Sequence, residues 1–250
     1  MPQSSVPKVP EWMTVVSNTE ALNHAAATEF VNCATRAIRE RGRFTVALSG
    51  GNTPRNIYSL LAEKYAHALS WGEIFVFFGD ERHVPPNDPD SNFRMATESL
   101  LSRVPIPAKN VHRIQAELDA RMAADQYEAT LREFFALSNG HLPRFDLVML
   151  GMGDDGHTAS LFPGTTALDE NSRLVVANHI EKLQTDRITL SFPVLNAAAE
   201  VMVVIAGEKK APVIREILNS SQRSLYPIQR VHPKEGRLLW LVEQEAASLL

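Results

Sequence analysis

The chain has 250 residues, 44 % of them hydrophobic and 22 % charged, with a formal net charge of −4. That balance fits a soluble globular protein of one large domain or two small ones, and the lack of basic excess excludes nucleic acid as the main partner. One cysteine, Cys33, excludes an internal disulfide and a thiolate metal cluster, and its small, apolar neighbours predict a packed side chain.

The opening stretch, MPQSSVPKVPEW, holds three prolines and no apolar core of signal-peptide length. Residues 1–12 are expected to form a flexible arm and residues 13–250 a single domain in the cytoplasm, with no membrane partner. Ser17 and Glu20 are spaced as in a capping box and open a predicted helix over 17–41, which Gly42 ends. FTVAL (Phe44–Leu48) reads as a strand. Pro54 after Thr53 suits the start of a helix running to about Ala66. IFVFF (Ile74–Phe78) is the next strand. The proline-rich segment 84–107 holds one helix, capped by Ser91 or Asn92, and Asp119 caps another that ends near Leu137. FDLVML (145–150) is the clearest strand; RLVVAN (173–178), RITLSF (187–192) and EVMVVIAG (200–207) add three more. A helix over 208–218 and a final strand ending at Glu243 complete the pattern. These runs are apolar almost throughout, as in strands covered on both faces. The expected fold is α/β, a mostly parallel, Rossmann-like sheet flanked by helices.

Four strands run directly into unusual loops: Ser49-Gly50-Gly51-Asn52-Thr53-Pro54, Gly79-Asp80-Glu81-Arg82, the seven residues from Gly151 to His157, and Gly207-Glu208-Lys209-Lys210. Parallel strands would bring all four to the carboxyl edge of the sheet, where open α/β folds bind ligands. SGGNTP is either an anion cradle, with backbone N–H groups and the Ser49 and Thr53 hydroxyls as donors, or a plain strand-to-helix turn capped by Thr53. It matches neither the Walker pattern nor GxGxxG, so a nucleotide is not indicated. Lys210 lies in the first turn of a predicted helix, where a cation is unfavourable by up to about 1 kcal/mol unless an anion binds there; Lys209 reads as its exposed neighbour. Arg82 either pairs with Asp80 or Glu81, or faces a ligand. His157 can take a proton from water near neutral pH, with Asp155 to orient the ring, or it can simply hydrogen-bond its loop. There is no HExxH, no Cys/His cluster and no GxSxG, so no metal site or serine elbow is expected.

GDERHVPPNDPDSN (79–92) and GMGDDGHTASLFPG (151–164) closely resemble the motifs of 6-phosphogluconolactonases, and SGGNTP and GEKK fit the same family. The likeness runs from about residue 15 to 245. It implies a fold similar to that of glucosamine-6-phosphate deaminases, with a smaller accessory region. The deaminases share the GxGxDGH core, but they usually carry tyrosine where this chain has Arg82, and they differ after the histidine. The resemblance implies His157 as catalytic base beside Asp155. It implies Ser49, Gly50, Gly51 and Thr53 as the phosphate-cradling turn, with Asp80, Arg82, Arg187 and Lys210 also at the substrate. It implies hydrolysis of a small phosphorylated sugar lactone by a monomer or small homo-oligomer. No cofactor or metal is expected, because an ester carbonyl is already electrophilic.

Overall fold

In the computed structural model, residues 9–220 and 225–250 are described. The chain runs through β1 (Met13–Val16), α1 (Thr19–Arg41), β2 (Phe44–Leu48), α2 (Asn52–Tyr65), β3 (Ile74–Phe78), β4 (Asp80–Arg82), α3 (Asn92–Ala96) and α4 (Ala120–Phe134). It continues through β5 (Leu147–Leu150), β6 (Val175–Ile180), β7 (Thr185–Leu190), α5 (Phe192–Asn196), β8 (Glu200–Ile205), α6 (Ala211–Asn219) and β9 (Arg237–Glu243). Six strands form a wholly parallel sheet in the order β1-β9-β8-β5-β2-β3. Every residue of β2, β5 and β8 is buried, because helices cover both faces of the sheet. Buried side chains from Met13 to Ala246 make one contiguous core. Cys33 is part of it, and burial pushes its thiol well above the ordinary range.

The chain leaves β2 towards β3 on one side and later returns through β5 on the other. The strand order therefore reverses between β2 and β5, and the crevice beyond their carboxyl ends is the place where such sheets take ligands. Two tyrosines hold this edge in place. The Tyr58 hydroxyl, from α2, accepts from the Ser49 N–H at 3.0 Å and donates to the Ser49 carbonyl at 2.9 Å. Tyr127, from α4, does the same for Phe78 at the end of β3.

A second, three-stranded antiparallel sheet has the order β4-β7-β6. The segment expected as a loop, 79–82, is therefore partly a strand, and RLVVAN and RITLSF belong to this small sheet rather than to the parallel one. Gly79 is the joint: its N–H donates to Leu48 in the large sheet, and its carbonyl accepts from Leu190 in the small one. The N-cap of α1 is Asn18, not Ser17; its side chain accepts from the Ala21 N–H. Gly42 ends that helix at φ 70°, as expected of a left-handed cap. The helix expected over 208–218 begins as a 3₁₀ turn, Glu208–Lys210, before α6. Of the expected flexible arm, residues 1–8 lie outside the described residues; Trp12 packs edge-on against Trp240, with ring centroids 5.0 Å apart. No described helix is long and apolar enough to cross a membrane.

Candidate active site

The four loops do meet. Two adjoining cavities, of about 280 and 550 Å³, lie at the carboxyl edge and share Asp80, Arg82, Gly153, His157, Ala159 and Lys210. The smaller reaches under Ser49, Gly50 and Gly51; the larger extends to Asp155, Phe162, Lys182 and Arg187. Thr53 lines neither. It lies inside the first turn of α2, and Gly51, at φ 105°, takes the N-cap position that was open to it.

The loop after β5 is built around its histidine. Gly153 N–H donates to the His157 carbonyl at 2.8 Å, closing a tight turn in which Gly156 adopts φ 72°. A Cβ on Gly153 would lie 2.1 Å from the imidazole, so only glycine lets the ring come this close to the backbone. His157 Nδ1 is 2.5 Å from Asp155 Oδ1, and its ring stacks on Phe162 at 4.0 Å between centroids. Burial alone would raise the Asp155 carboxyl, but hydrogen bonds from Lys182 and His157 outweigh it and hold the group down to about 2. An ionised carboxylate can only accept, so Nδ1 carries the proton in this contact and Nε2 is left with the lone pair.

The cations differ in how far they are already committed. Lys210 pairs with Asp154, and Lys182 with Asp155. Arg82 pairs with neither Asp80 nor Glu81 through its guanidinium; that group donates to the Asp90 carbonyl. Arg187 faces Arg82 across the β4–β7 register and has no side-chain hydrogen bond or ion pair among the described residues. Burial, reinforced by the Arg82 charge, pushes Arg187 below its ordinary range. Two like charges placed opposite each other on neighbouring strands in this way favour an anion beside them.

The Gly79–Asn92 segment is folded by one buried carboxylate. Glu81 accepts from the N–H groups of Arg82, Asn92 and Phe93 and from the Ser91 hydroxyl, at 2.7–3.1 Å. Ser91 is the cap of α3, and Asn92 points inward, donating from Nδ2 to the Asp80 carbonyl. The Asp80 side chain accepts from Ser160 at 2.6 Å and is buried. Two buried atoms of the smaller cavity, Ser49 Oγ and Asn92 Oδ1, have no partner among the described residues, as expected of a wall that meets a polar ligand.

Sequence reasoning missed Asn92, Ser160, Phe162 and Lys182 as site residues. The first three lie within the two long motifs and were within reach. Lys182 sits on the turn Glu181–Leu183 between β6 and β7, a charged stretch with no local signal of a site.

The family model for glucosamine-6-phosphate isomerases/6-phosphogluconolactonase matches residues 17–240. A 6-phosphogluconolactonase of Nostoc sp. is 44 % identical over 216 residues, covering 86 % of this chain and 88 % of that one. The solved structure of 6-phosphogluconolactonase from Trypanosoma cruzi has a TM-score of 0.86 at 29 % identity, covering 95 % of this chain and 96 % of that one. A monomeric glucosamine-6-phosphate deaminase, at 19 % identity and a TM-score of 0.78 over 95 % of this chain and 99 % of that one, shares the fold. On the matched motifs, the sheet order and these likenesses together, the chain belongs to the glucosamine-6-phosphate isomerase/6-phosphogluconolactonase family.

Proposed function

We propose that this chain hydrolyses 6-phospho-D-glucono-1,5-lactone to 6-phospho-D-gluconate, with His157 as general base. The observation that carries the reading is the His157–Asp155 contact at 2.5 Å, which leaves the Nε2 lone pair free on a residue lining a cavity that also holds the Arg187 guanidinium, without an ion-pair partner among the described residues. The 44 % identical relative of the same activity supports the substrate. The phosphate is held by Arg187 and Lys210, with the SGG turn and Arg82 beside them. Nε2 takes a proton from a water molecule, whose oxygen bonds to the lactone carbonyl carbon. Positive groups at the rim steady the tetrahedral oxyanion, a contribution of about 3 kcal/mol per good donor in other acyl-transfer sites. As the oxyanion collapses, the C1–ring-oxygen bond breaks and the departing oxygen takes the proton back from the imidazolium. The same proposal puts the enzyme in the cytoplasm.

The test is an assay of lactone hydrolysis above its spontaneous rate. Wild type is expected to turn over, and His157→Ala to lose about 10²–10⁴-fold in kcat, the usual worth of a general base. Near-normal turnover in His157→Ala removes the base. Release of ammonia from glucosamine 6-phosphate, with no lactone hydrolysis, would favour the deaminase reading instead.

A further inference from the structure

We infer that Lys182 is a positioning residue for His157: it holds the far oxygen of Asp155, so that Asp155 orients the imidazole without drawing it into a stable ion pair. The inference rests on the general-base reading above.

The geometry is a chain of contacts. Asp155 Oδ1 accepts from His157 Nδ1 and, at 3.3 Å, from the His157 N–H. Asp155 Oδ2 accepts from the Lys182 ammonium. That ammonium also lies 5.5 Å from the centroid of Phe162, the ring on which His157 stacks. Lys182 thus touches both groups that fix the imidazole. It comes from a different sheet, on the β6–β7 turn, so the small sheet sets one side of the catalytic loop.

The need for such a group follows from the chemistry. A lone carboxylate against a histidine favours imidazolium, and imidazolium has no lone pair with which to take a proton. A second cation on the same carboxylate opposes that preference while leaving the orienting hydrogen bond in place. The other charged groups around the ring are Asp80 and Arg82 from β4, Arg187 from β7, and Asp154 and Lys210 from the flanking loops. None of these shares a carboxylate with His157: Lys210 is taken by Asp154, the Arg82 guanidinium by a carbonyl, and Asp80 by Ser160.

The test compares Lys182→Met and Lys182→Arg with wild type in the pH dependence of kcat/KM for the phosphorylated lactone. Lys182→Met is expected to move the acid limb about half to one pH unit upward. The loss is then about three- to tenfold on the acid side and smaller on the alkaline side, with little change in KM. Lys182→Arg should return the limb towards wild type. Lys209→Met, which removes an equal charge from a side chain lining neither cavity, should leave the limb in place. Titration of the His157 ring by NMR in the free enzyme should move upward in Lys182→Met alone. Lys182→Gln serves as the neutral variant if Lys182→Met does not fold. An unmoved limb and ring titration overturn the proposal, as does a tenfold rise in KM without a limb shift, which would make Lys182 a substrate contact. The ring titration reads Lys182 whether or not His157 proves to be the base, so failure of the one is distinct from failure of the other.

Discussion

At residue scale, Arg187 is the sharpest probe of what the cavity is for. Arg187 is half-buried, lies opposite Arg82 in the strand register, and has no carboxylate partner among the described residues. A charge-assisted contact to a phosphate is worth about 1.5–3 kcal/mol. Arg187→Met is therefore expected to raise KM for the phosphorylated lactone by about 10–150-fold while kcat falls much less. Steady-state kinetics on the phosphorylated lactone and on glucono-1,5-lactone check the assignment: the penalty should nearly vanish for the sugar without phosphate. An equal penalty on both would put the phosphate elsewhere. The residues of this site were unevenly legible in the sequence. His157 and Asp155 could be singled out because they flank Gly156 in a glycine-rich loop after a long apolar run, and Lys210 because a cation stands in the first turn of a predicted helix. Lys182 could not, because its partner is 27 positions away and nothing within EKLQTD distinguishes it from a solvated hairpin.

At the scale of elements, the apolar runs were read correctly where the physics is local. β2, β5 and β8 are buried along their whole length, so continuous hydrophobicity identified them. β4 escaped because Asp80-Glu81-Arg82 has no strand signal; it is a strand only because β7 pairs with it and Glu81 folds the following segment back. β1 escaped because four residues beside a proline-rich stretch leave no periodicity to count, and its parallel pairing with β9 comes from the far end of the chain. The same carboxylate that makes β4 possible supports a prediction. Glu81 is 2 % exposed, and burial raises its carboxyl above the usual range despite three backbone donors. Glu81→Ala strands those donors, and a broken buried network of this kind costs about 2–4 kcal/mol. Urea unfolding should show a lower midpoint at an unchanged slope. A midpoint within error of wild type would mean that the segment holds itself without Glu81.

For the whole molecule, the site lies on a seam. One wall belongs to the parallel sheet and the other to the small antiparallel one, joined at Gly79, so the loop that carries His157 is held from both sides. Acid should act on that seam through Asp155. Its carboxyl has an ordinary value near 3.9 when unfolded and about 2 in the folded chain. A depressed acid stabilises the fold at pH values above the unfolded value, and the contribution fades as pH falls from about 4 to about 2. Its ceiling is about 2–3 kcal/mol. The side chain is 30 % exposed, so solvent screening reduces the contribution to about half of that. Glu170, which accepts from Ser172 and Arg173 on the approach to β6, is likewise held down to about 2 and acts in the same direction. Their joint contribution to the unfolding free energy should therefore rise between pH 2 and 5 and then level off, while the raised Glu81 carboxyl acts in the opposite direction above its ordinary range. In Asp155→Asn, which keeps an acceptor but loses the charge, that rise should be shallower by about 1 kcal/mol, with most of the difference below pH 4. Parallel slopes for the two proteins across that range would mean that the carboxylate at the seam orients the histidine without holding the sheets together.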